Sequence, residues 1–118
     1  MLAEASGIDK IVLICGYTDL RYGIDGLAQR LGTKYNINPF QKNVLFLFCG
    51  RRSDRIKCLI WEGTGFLLLY KRLEAGKFRW PRDSEEAKQL TSEQYQLLMS
   101  GINPLQPLIS EVEARKIV

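Results

Sequence analysis

The sequence predicts an α+β fold, in which an antiparallel β-meander of about five strands packs against an N-terminal helix and short C-terminal helices. Three observations lead to this prediction. Short apolar runs separated by turn residues fill positions 44–82, apolar residues recur at helical spacing from position 20 to 31, and a helix-capping pattern begins at position 91. Strands and helices that follow one another in blocks, rather than alternating regularly, are typical of the α+β class.

The N-terminal part of the chain predicts a strand followed by a helix. Residues 10–15, KIVLIC, form an apolar run of β-favouring residues. After the turn at Gly16, Thr18 is placed to cap a helix, and the negative charge of Asp19 suits the dipole of its first turn. We therefore expect the helix to begin near Thr18.

Two glycines fall inside this predicted helix. Gly23 and Gly26 each cost about 1 kcal/mol relative to alanine in a helix interior. Glycines retained at such a cost usually permit close approach of another backbone, and we expect that backbone to be the sheet. The helix should end around residues 32–35, and residues 36–40 should form a loop.

Residues 44–82 alternate between apolar runs and turn signals, which predicts the meander. A polar loop occupies residues 50–54, and residues 63–65 (Gly-Thr-Gly) mark a tight turn, because glycine readily takes positive φ. Pro81 should end the last strand. The four strands are predicted at residues 44–49, 55–62, 66–74 and 77–80.

The faces of the central hairpin depend on its register. A three-residue turn pairs Glu62 with Phe66, and this is the preferred register; a two-residue turn would shift it by one. In the preferred register both faces are apolar over much of their length, so one face should take the helices and the other needs a further cover or a partner. This second face would carry Leu59, Trp61, Leu67 and Leu69.

The C-terminal part predicts two short helices and a tail. Asp83 and Ser84 can cap a helix that runs to about Gln89. Thr91 and Gln94 have the spacing of a capping box, which predicts a second helix that ends at Gly101. Residues 1–102 are thus expected to form one α+β domain, and residues 103–118 an extended or partly disordered tail.

Composition limits the class of protein. The 118 residues suffice for one hydrophobic core, and 46% hydrophobic with 25% charged residues is ordinary for a soluble globular domain. No apolar window is long enough to span a membrane, and the N-terminus lacks the pattern of a signal peptide. Cys15, Cys49 and Cys58 are odd in number and lie in predicted strands, which indicates buried free thiols and a cytoplasmic protein.

The chain contains no histidine, which excludes serine–histidine and cysteine–histidine catalytic arrangements. There is also no pair of cysteines with metal-ligand spacing, so we expect no metal site and no cofactor. Asp19, Asp25, Asp54 and Glu62 have simpler explanations as helix-start, helix-surface and turn residues, and they do not predict a nuclease. The sequence therefore predicts a protein that is not an enzyme.

Positive charge is concentrated in one part of the chain. Residues 42–82 carry ten Lys/Arg against three acids, whereas the rest of the chain is acidic. Clustered Lys/Arg interleaved with aromatic residues is typical of nucleic-acid binding, although the same residues can serve to protect a sheet edge from aggregation. The predicted nucleic-acid-binding residues are Arg51, Arg52, Arg55, Lys57, Lys71, Arg72, Lys77, Arg79, Trp80 and Arg82.

The two tryptophans have different expected positions. Trp61 lies in an apolar strand and is expected in the core. Trp80 stands between Arg79 and Pro81, and we expect it near the surface, where it could stack on a base or anchor a partner.

An ordered series of motifs resembles one protein family. The motifs are GYTDLR (16–21), GIDGL (23–27), LFLFCGRR (45–52), DRIK (54–57), WEG (61–63), GF (65–66), YKRLE (70–74) and FRWP (78–81). Over residues 10–102 the chain closely resembles the TnpB accessory proteins, the second open reading frame products of the insertion sequence 66 family of bacterial transposable elements. Relatives commonly carry a basic residue after the arginine of the DLR motif, where this chain has Tyr22.

The resemblance implies a bacterial accessory protein of transposition, encoded beside a separate transposase that carries the catalytic chemistry. The family supplies no catalytic residues to transfer. Together with the basic cluster, it predicts a non-catalytic factor that binds DNA through a basic sheet surface. The alternative is a protein-interaction adaptor that docks on the transposase or self-associates through the second apolar face of the sheet.

Overall fold

A computed structural model describes residues 7–105, which form a five-stranded sheet with one helix on each face. The strand order across the sheet is β4-β3-β2-β1-β5. The α+β class and the number of strands are confirmed. The elements in chain order are β1 (Lys10–Ile14), α1 (Ile24–Tyr35), β2 (Val44–Cys49), β3 (Arg55–Trp61), β4 (Phe66–Arg72), β5 (Ala87–Leu90) and α2 (Ser92–Met99).

The sheet is mixed, not wholly antiparallel. Strands β2, β3 and β4 form the predicted antiparallel meander, and β5 runs antiparallel to β1. β1 and β2, however, are parallel, with Lys10 opposite Val44 and Leu13 opposite Leu47. Parallel neighbours need a crossover connection, and α1 provides it. The chain therefore contains one β-α-β unit at the centre of its sheet.

The hairpin of β3 and β4 uses the shorter turn, so the preferred register was wrong. Trp61 pairs with Phe66, and the amide of Glu62 donates to the carbonyl of Gly65 at 2.9 Å. Gly63, with φ of +89°, allows the two-residue turn. A slip of one residue moves every β4 side chain to the other face. Leu67 and Leu69 consequently share a face with Ile60, not with Trp61.

Both faces of the sheet are covered in the structure. Leu27 and Leu31 of α1 pack on one face against Phe46, Phe48 and Leu59. The opposite face is covered by Phe78, Trp80 and the α2 residues Tyr95 and Leu98. Leu59, predicted on the uncovered second face, is fully buried beneath α1. The cover that the sequence required thus comes from the chain itself.

Residues 77–90 differ most from the prediction. Residues 77–80 are not a strand; they are extended, with Phe78 and Trp80 buried on the sheet face and Lys77 and Arg79 exposed. The helix predicted from Asp83 to Gln89 is also absent, since Ala87–Leu90 pairs with β1 as strand β5. The backbone of residues 87–90 forms hydrogen bonds with the edge of β1, and this tertiary pairing overrides the local preference for a helix.

Helix α1 begins later than predicted. Gly23 is its N-cap residue, so Thr18 does not cap the helix and lies buried in the preceding loop. Gly26 does not approach the sheet, because a Cβ built on it would lie 2.8 Å from the ring of Tyr22. The predicted end is confirmed: the helix stops at Tyr35, and Asn36 takes the left-handed conformation with φ of 54°.

Helix α2 has the predicted N-terminus. The amide of Gln94 donates to Oγ1 of Thr91 at 3.1 Å, and the amide of Thr91 donates to Oε1 of Gln94 at 2.8 Å. This reciprocal capping box satisfies two amides that the helix leaves without partners. Most of the predicted tail, residues 106–118, lies outside the described residues.

Candidate functional site

The loops that carry most of the arginines lie at one edge of the sheet, the edge formed by the C-terminal ends of β1 and β2. Because β1 and β2 are parallel, the loop after β1 and the loop after β2 leave the sheet at the same edge. β3 starts and β4 ends at this edge too, since Arg55 pairs with Arg72. Side chains that are distant in sequence therefore meet here.

Arg82 ties the two loops together. Its guanidinium donates to the carbonyl oxygen of Gly16 at 2.6 Å, to that of Gly50, and to Oγ of Ser53 at 3.2 Å. It also lies 4.1 Å from the ring centroid of Tyr17, in a cation–π contact. A charged group with this many protein partners fixes the loops relative to each other.

The two loops, together with Arg30 of α1 and Tyr70 of β4, enclose a cleft of about 680 Å³. We call it the arginine cleft. Five arginines and one carboxylate line it, with two half-exposed tyrosines in its walls. The lining residues are Tyr17, Thr18, Asp19, Leu20, Arg21, Arg30, Gly50, Arg51, Arg52, Arg55 and Tyr70.

Two acidic side chains pair with three of these arginines. Asp19 accepts two parallel hydrogen bonds from Arg21, at 3.0 and 2.7 Å, and this bonding lowers the pKa of its carboxyl to about 2. Asp54 accepts from Arg55 at 3.0 Å and from Arg52 at 3.2 Å, and its pKa is lowered as well, mainly by the bond from Arg55. Both carboxylates are therefore ionised at neutral pH.

Arg30 and Arg51 have no carboxylate partner within salt-bridge distance among residues 7–105. Arg51 is exposed and lies 5.4 Å from the ring centroid of Tyr17. Nε of Arg30 and Oγ1 of Thr18 are buried, and neither has a hydrogen-bond partner in the described part of the chain. The cleft thus combines excess positive charge with two buried groups that lack partners, as an anion site would.

Five of the predicted site residues lie at or beside the cleft. Arg51, Arg52 and Arg55 line it directly. Arg82 donates hydrogen bonds to the two loops that border it. Lys57 lies next to it, where Nζ donates to the carbonyl oxygen of Tyr22 at 3.0 Å.

The other predicted site residues lie elsewhere or have other partners. Arg72 pairs with Glu74 at 3.4 Å. Lys71 is opposite Ile56, on the sheet face that carries α2, so it is turned away from the cleft. Lys77 and Arg79 are exposed beside the loop after β2, because the amide of Phe78 donates to the carbonyl of Ser53 at 2.7 Å.

Trp80 was wrongly expected near the surface. It is 6% exposed, and its indole Nε1 donates to the carbonyl oxygen of Ile14 at 2.9 Å. Residues 77–80 were predicted as a strand with Trp80 near the surface, but in the structure Phe78 and Trp80 are buried in the core. Trp80 is unavailable for stacking on a base.

Sequence reasoning missed eight of the eleven residues that line the cleft as site residues. They are Tyr17, Thr18, Asp19, Leu20, Arg21, Arg30, Gly50 and Tyr70. The signal that could have found the N-terminal ones is the order of strand, helix and strand in residues 10–49, which is compatible with a parallel pair. Such a pair places the loop after its first strand beside the loop after its second.

The three cysteines are free and buried, and none has the character of a nucleophile. Burial raises the pKa of all three thiols, that of Cys58 to about 12. Cys49 borders the cleft, where Nη2 of Arg82 lies 3.5 Å from its sulfur. A protonated thiol is a poor nucleophile and a poor metal ligand.

Within residues 7–105 no three Cys, Asp or Glu side chains are grouped so that they could hold a metal ion. Neither of the two helices in this part of the chain is long and apolar enough to cross a membrane.

Comparisons with known proteins agree on one family. The family model described as "IS66 Orf2 like protein" matches residues 9–108. Two uncharacterized proteins of Sinorhizobium fredii (strain NBRC 101917 / NGR234) are similar over most of their length. One, y4jC, is 31% identical over 103 residues, which cover 87% of this chain and 86% of the relative. The other, y4hO, is 35% identical over 94 residues, which cover 80% and 81%.

No solved structure matches the chain significantly. The family match spans every strand and both helices of the fold, and it includes all the residues that line the cleft. The chain therefore belongs to the IS66 Orf2-like family, the accessory proteins associated with insertion sequences of that type.

Proposed function

We propose that this protein is a non-catalytic accessory factor of transposition that binds DNA through the arginine cleft and the surface around it. The observation that carries the proposal is the convergence of five arginines on one edge of the sheet. Transposition is the context that membership of the IS66 Orf2-like family supplies.

The chemistry of the cleft favours phosphate as the ligand. A guanidinium donates two parallel hydrogen bonds to a phosphate and keeps its charge at any physiological pH. Arg51 is exposed and free of carboxylates among the described residues, so it can bind a phosphate without first breaking an ion pair. Arg21 and Arg52 are exposed at the rim, with side chains 91% and 70% accessible.

Lys77 and Arg79 extend the basic surface beyond the cleft. Both are exposed, and they flank Phe78, whose amide donates to the carbonyl oxygen of Ser53 in the loop after β2. Contacts of this kind position a protein on the DNA backbone and carry little sequence information. We therefore expect binding with weak sequence preference.

The cleft has no catalytic role in this function. Asp19, which lines the cleft, and Asp54, which lies beside it, are both paired with arginines, and their lowered pKa values make them poor general acids or bases near neutral pH. The chain also contains no histidine to take that role.

The test is DNA binding across a salt series. The affinity of the wild-type protein for a labelled duplex should fall between about 50 and 200 mM salt, with a log–log slope of about −0.9 per neutralised phosphate. The Arg51→Ala/Arg52→Ala variant should bind more weakly, with a slope smaller by about 2.

The matched control is Lys10→Ala/Lys42→Ala, which removes the same charge near the opposite edge of the sheet, where β1 and β2 begin. It should keep the wild-type slope. Absence of binding by the wild-type protein at about 50 mM salt would refute DNA binding, because low salt strengthens exposed electrostatic contacts.

A second candidate function is docking on the transposase of the same element, or self-association. The observation that favours it is β4, an edge strand whose Phe66–Leu69 side chains are only partly buried. Phe40, which is 56% exposed, lies beside this strand. Its ring centroid is 5.0 Å from that of Trp61 and 5.1 Å from that of Phe66. Unpaired edges and exposed aromatic groups are common at protein interfaces.

Sedimentation at low and high salt tests this candidate. An assembly held by β4 and Phe40 should survive high salt, because apolar contacts are not screened, and Phe40→Ser should weaken it. A wild-type protein that is monomeric at both salt concentrations and captures no transposase would argue against this function.

A further inference from the structure

The arginine cleft has the size of a small-molecule site, not of a duplex-binding surface. Its volume of about 680 Å³ falls in the range of about 300–1,000 Å³ that single ligands occupy in proteins. A DNA duplex presents its phosphates on a convex surface, so they can reach the exposed rim residues Arg21 and Arg52. Nε of Arg30 and Oγ1 of Thr18 are buried, so the phosphates of a duplex would not contact them.

Two buried polar atoms of residues that line the cleft lack hydrogen-bond partners in the described part of the chain. Thr18 is 1% exposed, it lines the cleft, and its hydroxyl has no hydrogen-bond partner among residues 7–105. Nε of Arg30 is also buried and also has no hydrogen-bond partner among these residues. A buried polar group without a partner carries a desolvation penalty, and such groups are rare enough in proteins to need a cause. Both groups can donate a hydrogen bond, and an oxygen of an anion bound in the cleft would supply an acceptor.

The same cleft is lined by the aromatic side chain of Tyr70. Tyr70 is 52% exposed, and no other ring or cation stacks on it in the described part of the chain. Tyr17 is less available, because the guanidinium of Arg82 already lies 4.1 Å from its ring centroid. Exposed tyrosine rings next to basic groups are the stacking sites that single-stranded nucleic acid uses.

We propose that the cleft holds one unpaired nucleotide, with its phosphate bound by Arg30, Arg51 and the Thr18 hydroxyl and its base stacked on Tyr70. The inference rests on the proposed DNA binding and specifies what the cleft recognises. Rim arginines bind the neighbouring duplex backbone, whereas the cleft selects DNA that has an unpaired end or a locally melted segment. Duplex binding alone would leave the floor of the cleft empty.

The experiment compares two labelled DNA hairpins with equal numbers of phosphates, one with a blunt end and one with a single-stranded overhang. The wild-type protein should bind the overhang hairpin about 10-fold more tightly, the effect expected when one base stacks on an aromatic side chain. Tyr70→Ala should remove this preference, because it weakens binding of the overhang hairpin about 10-fold more than binding of the blunt hairpin. Tyr70→Phe retains the ring and should retain the preference.

Two further variants test the phosphate contact and the location. Arg30→Met should reduce affinity for the overhang hairpin more than for the blunt one. Phe40→Ala, an exposed aromatic residue near the far end of the hairpin formed by β3 and β4, should change neither affinity. Thermal unfolding identifies any variant that fails to fold, and the Tyr70 pair keeps the test decisive if Arg30→Met is lost.

The outcomes separate this inference from the proposed function. Equal, salt-dependent binding of both hairpins by the wild-type protein would overturn the inference and leave DNA binding intact. A preference for the overhang that survives Tyr70→Ala would also overturn it. No binding to either hairpin would refute both.

Discussion

Arginine residues at the cleft differ in role: some hold its loops together through hydrogen bonds, and others are exposed to solvent. Arg82 and Arg51 both contact Tyr17, yet only Arg82 donates to backbone carbonyls, those of Gly16 and Gly50. Arg51 makes no such bond to residues 7–105, and it is exposed. Neighbouring arginines of one charge cluster therefore have different roles, and stability measurements can separate them.

Replacing Arg82 should destabilise the fold. Arg82→Met leaves two carbonyl oxygens without their charged donor, which should lower the free energy of unfolding by about 2 kcal/mol. Arg51→Met removes an exposed cation and should change it by less than about 0.5 kcal/mol. Urea denaturation of both variants measures the difference. Equal effects would contradict the structural role of Arg82.

The ion pair of Asp19 and Arg21 makes a prediction about acid titration. The carboxyl pKa of Asp19 is lowered to about 2 in the folded state, against about 3.9 unfolded, so the stabilisation is complete above the unfolded value and is lost as the pH falls toward 2. Carboxyl NMR should give a midpoint near 2 for Asp19. Arg21→Met should move this midpoint up toward the unfolded value, and an unmoved midpoint would exclude Arg21 as its cause.

At the scale of elements, the sequence was informative wherever the determinants are local. The capping box of Thr91 and Gln94 and the apolar run of β2 depend only on neighbouring residues, and both were predicted correctly. Strand β5 (Ala87–Leu90, AKQL) has weak β preference and exists because β1 offers it an edge. The register of the hairpin formed by β3 and β4 depends on whether its turn has two residues or three, and composition does not determine which of the two forms.

The same distinction explains how much of the site was predictable. Arg51, Arg52 and Arg55 were found because they are adjacent in sequence. Arg21 and Arg30 belong to the cleft only through the parallel pairing of β1 and β2, which is a long-range property. Trp80 was misplaced because its indole partner, the carbonyl of Ile14, lies 66 residues away.

Trp80 provides a prediction at this scale. Trp80→Phe should lower the free energy of unfolding by about 2 kcal/mol, since the carbonyl of Ile14 loses its buried donor and the core loses volume. DNA affinity should not change, because Trp80 is buried. The exposed neighbour gives the opposite pattern: Arg79→Ala should keep stability and reduce the salt slope of DNA binding by about 1. Weaker binding by folded Trp80→Phe would restore Trp80 as a contact residue.

For the whole molecule, the positive charge comes from arginine and lysine alone, since the chain has no histidine. The carboxylates beside the cleft, Asp19 and Asp54, have lowered pKa values and stay ionised well below neutral pH. Few groups near the cleft therefore change charge under physiological conditions.

DNA affinity should accordingly be flat with pH. Binding at constant ionic strength between about pH 5 and pH 8, the range in which histidine would titrate, should vary by less than about twofold. Fluorescence anisotropy across this range measures it. A bell-shaped or steeply falling profile would mean that a group other than the arginines controls binding.

The hydrogen bonds of Arg82 also set the order in which the site can appear during synthesis. They reach back 66 residues to Gly16 and 32 residues to Gly50. Every residue that lines the cleft precedes Arg82 in the chain. A growing polypeptide therefore leaves the ribosome with all the arginines of the cleft before it has the residue that holds them in place. Until translation has passed Arg82, the loops after β1 and β2 lack the hydrogen bonds that join them, so the cleft can take its final shape only after that point.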